Sequence, residues 1–114
     1  MADDSKPVYL RLREAITASI LDGGYRDGDM LPSVRALAAQ EGANPLTVAK
    51  AYQSFQDDGL IIVRRGVGMF LAQGATRQLH EAERRRFLET VWPPVADQIK
   101  RLGISVADLD LQQA

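Results

Sequence analysis

With 114 residues the chain has room for one domain, or for one domain and an appendage too small to fold alone. Apolar residues at 46% and charged residues at 25% exclude a disordered chain, and no apolar run approaches the roughly 20 residues of a helical membrane span. The absence of cysteine excludes a disulfide framework and a thiolate metal site, and a formal charge of −1 excludes a uniformly basic surface.

The first residues, Met1-Ala2-Asp3-Asp4-Ser5-Lys6, are acidic and lack the basic-then-apolar layout of a signal peptide, so a cytoplasmic protein is expected. Charge is balanced locally as well. The segment through Gly74 carries 8 basic and 9 acidic residues, and the remainder carries 6 of each. Any surface for a polyanion must therefore come from the placement of a few cations.

A first helix is predicted to start near Pro7, with Ser5 as its cap and the proline in a turn whose N–H would be unpaired anyway. Val8, Leu12, Ala15, Ile16, Ser19 and Ile20 recur at helical steps and predict one apolar stripe. Gly23-Gly24 ends the helix. A turn over 25–29 then leads to a short extended piece at Met30-Leu31-Pro32. Ser33 predicts the N-cap of a short second helix that buries Val34, Leu37 and Ala38 and stops at Gly42. Asn44-Pro45, a cap residue and a first-turn proline, opens a third helix carrying Val48, Ala51, Tyr52 and Phe55 on one face and ending at Gly59. Two short helices around a tight glycine-containing turn form a helix-turn-helix.

After Gly59 the period changes. Leu60-Ile61-Ile62-Val63 predicts a strand, residues 64–68 a glycine-rich turn, and Met69-Phe70-Leu71-Ala72 a second strand. A hairpin directly behind a helix-turn-helix is a wing. The fold class expected is therefore mostly α with a small β-hairpin: a winged helix-turn-helix over 1–74 and a helical region over 75–114. In the latter, Leu79, Ala82, Phe87, Leu88, Val91, Trp92, Val95, Ile99 and Leu102 make a broad apolar stripe. Pro93-Pro94 predicts a kink or break in it, Gly103 a stop, and Ser105 the cap of a last short helix with Val106 and Leu109.

The third helix is where base reading would occur. Its first turn would expose Asn44, Pro45, Leu46, Thr47 and Lys50 to a major groove. Asn suits adenine, Leu a thymine methyl, Thr a base or phosphate, and Lys a guanine or phosphate. The plainer reading is that Asn44 only caps and Thr47 and Lys50 are solvated. Ser33 and Arg35, at the start of the second helix, suit a phosphate through free N–H groups and a forked cation, against a merely solvent-facing arginine. Arg64, Arg65 and Gly66 have the composition of a wing tip that approaches a groove, or of an ordinary turn with solvated charges. Arg84-Arg85-Arg86 would be a second basic patch or, as the helical spacing favours, a run paired with Glu81, Glu83 and Glu89 along the helix. The sole histidine, His80, has no companion ligands, and the carboxylates form no set suited to acid–base work. Neither an enzyme nor a cofactor or metal is expected.

Five blocks in order, Pro7-Val8-Tyr9, Gly28 through Ala38, Asn44 through Tyr52, Gly59-Leu60-Ile61 and Arg65 through Phe70, resemble the DNA-binding domain of the GntR family. The block over 44–52, joined to so short a tail, resembles the YtrA subfamily. The resemblance implies a transcriptional regulator whose DNA contacts fall on Ser33, Arg35, Asn44, Pro45, Thr47, Lys50, Arg65 and Gly66, with a short C-terminal region for dimerisation. Many members carry arginine where this chain has Pro45 and Ala49, which implies a different base preference.

One helix-turn-helix reads only a few base pairs, so a homodimer on double-stranded DNA with an inverted-repeat operator is expected, most simply as a repressor. Phe87, Leu88, Val91, Trp92, Val95 and Ile99 would supply the dimer contact, since so small a chain cannot cover them all. A small apolar effector binding near Trp92 would have to act between tail helices. No membrane partner is expected. The rival reading is a winged helix used as a protein-interaction module, which needs no basic surface.

Overall fold

The structure, a computed structural model, describes residues 7–111. Helix α1 runs Val8–Leu21, α2 Val34–Glu41 and α3 Pro45–Asp57; strands β1 (Ile61–Arg64) and β2 (Gly68–Leu71) follow, then helices α4 (Ala75–Arg86) and α5 (Trp92–Leu102). The chain divides into two compact units, one reaching His80 and the other beginning at Glu81.

The α1 N-cap is Pro7, with no side-chain hydrogen bond; the expected cap, Ser5, lies outside the described residues. The stripe of α1 is narrower than its pattern implied. Leu12, Ile16 and Ile20 are buried together with Thr17, whereas Val8 and Ala15 are exposed. Helix α1 packs on α3, and the two run in the same direction: Tyr9 lies at Lys50 and, one turn on, Arg13 lies at Ser54. The Arg13 guanidinium donates to Ser54 Oγ and Asp58 Oδ2, both at 2.7 Å, and its carbon sits 4.4 Å from the centroid of Phe55.

Around this seam lies one core of Leu12, Ile16, Ile20, Leu31, Leu37, Val48, Tyr52, Phe55, Leu60 and Leu71 with their small neighbours. The hairpin pairs antiparallel in the register Ile61 to Leu71 through Arg64 to Gly68. The predicted extended piece adds to its other edge: Met30 bridges Phe70, and the Leu31 N–H donates to Met69 O at 2.8 Å.

Asp27 ties the beginning of α4 to this unit. Its carboxylate accepts from the Gly74 N–H (2.8 Å), the Thr76 N–H (3.1 Å) and the Thr76 hydroxyl (2.7 Å). The two N–H groups are free donors of a helix first turn, so a residue 47 positions before Gly74 acts as the cap. The same three bonds hold the Asp27 carboxyl below the usual carboxylate range, the Thr76 hydroxyl first among them. Ala75 and Leu79 of α4 are buried.

From Glu81 on, no described residue is buried. The expected break appears in a different place from its cause. Pro93 and Pro94 occupy the first turn of α5, the part of a helix that best tolerates proline. The irregularity lies upstream, as a wide π-helical turn over Phe87–Val91 that lets the helix continue into them. Gly103 ends α5 in the left-handed region at φ 66°. The last short helix, Val106–Asp108, is a 3₁₀ turn. There Ser105 donates its N–H and hydroxyl to the Asp108 carboxylate, at 2.8 and 3.1 Å, and this holds the Asp108 carboxyl low.

Candidate nucleic-acid interface

Helix α2 starts where Ser33 Oγ accepts from the Ala36 N–H at 3.1 Å. The residue before that cap is held from α3, because the Tyr52 hydroxyl donates to Pro32 O at 2.8 Å. Burial of its ring pushes the Tyr52 hydroxyl pKa upward, so it stays a neutral donor. Arg35, second residue of α2, is exposed, and no partner for its guanidinium occurs among the described residues. A forked cation thus stands at the positive end of a short helix whose start is pinned to the third helix.

The turn between α2 and α3 is set by Gly42, at φ 62°, and by the Ala43 N–H donating to Ala38 O at 2.9 Å. Asn44 Oδ1 accepts from the Leu46 N–H at 2.8 Å, and Pro45 takes the first turn. Capping therefore uses one of the two lone pairs of the Asn44 side-chain oxygen and leaves its NH₂ free to donate to a base edge. Helix α3 buries Val48, Ala51, Tyr52 and Phe55, the face expected. Asn44, Pro45, Leu46 and Lys50 are exposed, Leu46 at 80%, and Thr47 is half-buried.

The wing turns at Gly66, with φ 76°, and the Val67 N–H donates to Arg64 O at 2.9 Å. Nothing lies within 4 Å of a Cβ built at Gly66, so the requirement there is conformational rather than spatial. Arg64 and Arg65 are both exposed.

The cations differ in one respect that their sequence positions did not reveal. Lys50 Nζ sits 4.2 Å from the centroid of the Tyr9 ring, and the Arg64 guanidinium carbon 5.2 Å from that of Phe70. Arg35 and Arg65 rest on no ring among the described residues. Tyr9 and Phe70 are thus parts of the surface that residue-by-residue reading passed over. Both fell inside the blocks that carry the resemblance, and that was the only available signal.

The second unit presents Phe87, Leu88, Trp92 and Val95 exposed, with Val91 and Ile99 partly covered. Phe87 and Trp92 stack across the π-helical turn, ring centroids 6.5 Å apart and planes at 28°. Arg86 pairs with Glu83 at 3.2 Å, as helical spacing implied. No group of three or more His, Asp or Glu that could hold a metal occurs among the described residues. No helix of the described residues is long and apolar enough to cross a membrane.

Residues 8–71, from the start of α1 to the end of β2, match the bacterial regulatory proteins of the gntR family. The chain belongs to the GntR family. It is 30% identical over 105 residues to the uncharacterized HTH-type transcriptional regulator YhcF of Bacillus subtilis, covering 92% of this chain and 85% of YhcF. It is 38% identical over 79 residues to the transcriptional repressor YtrA of the same organism, covering 69% of this chain and 61% of YtrA. A GntR family transcriptional regulator from Listeria monocytogenes superposes with a TM-score of 0.74 at 31% identity, over 93% of this chain and 91% of that one. The DNA-binding domain of AraR, solved in complex with an operator, superposes with a TM-score of 0.57 at 26% identity, over 63% and 87%. The GntR match ends at β2, whereas the Listeria structure is similar across the helical tail as well.

Proposed function

We propose that this GntR-family chain is a sequence-specific DNA-binding transcriptional repressor, acting in the cytoplasm as a homodimer on an inverted-repeat operator, with no enzymatic role. The observation that carries the proposal is the start of α3. Asn44, Pro45, Leu46 and Lys50 stand exposed on a helix whose opposite face is fixed in the core, and such a helix can read a major groove without repacking. The operator complex of the AraR domain supports the same class of partner. In this reading Ser33 and Arg35 take phosphate, Asn44, Pro45, Leu46 and Thr47 meet base edges, and Arg64, Arg65 and Gly66 approach an adjacent groove.

The reading divides the chain at Gly74 into a DNA-binding part and a dimerisation part. Exposure of Phe87, Leu88, Trp92 and Val95 supports a second copy as their cover. An effector would act through the tail, where a small apolar molecule beside Trp92 would change the spacing of the two reading heads. Unchanged tryptophan fluorescence across a panel of candidate molecules would count against it.

The deciding experiment is selection from a pool of random duplex DNA at two salt concentrations, with sedimentation of the bound species. Enrichment of an inverted repeat, bound by two chains and weakened steeply by salt, is expected. Binding without salt dependence, or none at all, would favour the protein-interaction module.

A further inference from the structure

We propose that Tyr9 is a positioning residue for DNA binding: its ring holds the Lys50 ammonium beside α1 so that Lys50 serves the DNA backbone rather than a base edge. The proposal rests on the DNA-binding reading and deepens it.

Lys50 is the one cation in the first turns of α3, and by residue type it suits either a guanine or a phosphate. Its surroundings separate the two. A guanine-reading lysine must extend from the helix into the groove floor. Here Nζ is drawn sideways, 4.2 Å from the centroid of Tyr9 on the first turn of α1. That places the charge at the flank of α3 rather than at its tip. Exposed cation–π contacts are modest in strength, so the hold biases a flexible side chain without locking it. The contact is also set by the scaffold. Helices α1 and α3 are clamped one turn further on by Arg13, which bonds Ser54 and Asp58 and rests on Phe55, so the two helices that carry Tyr9 and Lys50 are held side by side. In the chain's balanced charge, one cation kept at the flank of the reading helix contributes to affinity on any sequence.

The test uses the full-length protein, the duplex enriched by selection and a random-sequence duplex of equal length, titrated from low to high salt. Lys50→Gln is expected to weaken binding to both duplexes alike, by about 5–10-fold near 0.1 M salt, and to lower the slope of log affinity against log salt by about 0.9. Tyr9→Phe keeps the ring and should match the wild type. Tyr9→Leu should reproduce part of the Lys50→Gln loss, again on both duplexes, and should add nothing in the Lys50→Gln background. A Lys50→Gln loss confined to the selected duplex, with the slope unchanged, would make Lys50 a base reader and overturn the proposal. So would additive losses in the double variant, because Tyr9 would then act on the fold rather than through Lys50. Failure of the wild type to bind either duplex would remove the underlying DNA-binding reading instead, which is a distinct result.

Discussion

The two units of this chain bury apolar side chains to opposite degrees. Through His80, three helices and a hairpin enclose Phe55, Ile20, Leu60, Leu71 and Val48, all nearly inaccessible to solvent. From Glu81 on, an equally apolar pattern leaves Phe87, Leu88, Trp92 and Val95 exposed. The hydrophobic residues are alike; what differs is whether the chain itself supplies something to pack against them. The first unit carries its own reason to fold. The second leaves that side of its helical pattern uncovered, and a second copy is the cover we propose for it.

The largest expected effect attacks the first unit. Phe55→Ala removes a ring with 0% exposure from the seam of α1 and α3 and takes away the platform under Arg13. A loss of about 3–5 kcal/mol in unfolding free energy is expected by denaturant titration. A loss below about 1 kcal/mol would mean that the core is looser than its burial implies. Next comes the tail. Leu88→Asp should leave the secondary structure of a monomer intact yet weaken dimerisation by about 2 kcal/mol or more in sedimentation, with operator affinity falling alongside. An unchanged dimer would break the comparison at its second half.

Gly42→Ala is a smaller lesion between the two reading elements. There is open space for the methyl, so the cost comes only from the left-handed backbone at φ 62°, about 1–2 kcal/mol in thermal unfolding. The smallest effect concerns Asp27. Its folded carboxyl lies below the usual range, so its contribution is present above that range and is lost as pH falls through the lowered value. The stability difference between the wild type and Asp27→Asn should therefore be constant near neutral pH and shrink in acid. A difference that grows in acid would contradict the hydrogen-bond assignment.

Much of the winged unit was legible because its signals are local. Ser33 and Asn44 cap, Gly42 and Gly59 end helices, and the β-branched run at Ile61-Ile62-Val63 changes the period, each within a few residues of its effect. What escaped is non-local or depends on geometry. The Asp27 cap of α4 spans 47 residues, and the Tyr9–Lys50 contact requires knowing that α1 and α3 run in the same direction. The α1 pattern predicts a broader stripe than the fold buries, because period alone cannot say which edge of a face meets a neighbour; Val8 and Ala15 lie outside it and Thr17 inside. Pro93-Pro94 announced an irregularity but not its position. A proline pair fits a helix start, so the distortion moved into the preceding turn at Phe87–Val91. For the interface, residue type supplied candidates for contact but not the ring that holds one cation while another stands clear.

The Asp27 latch makes the start of α4 a property of the winged unit rather than of the tail that α4 leads into. Every donor it satisfies, on Gly74 and Thr76, lies before His80. A different C-terminal segment spliced in after His80 would leave all three bonds in place without any sequence change in the reading head. The joint is therefore a natural graft point, where one DNA-reading module can be fitted with interchangeable partners for pairing or sensing.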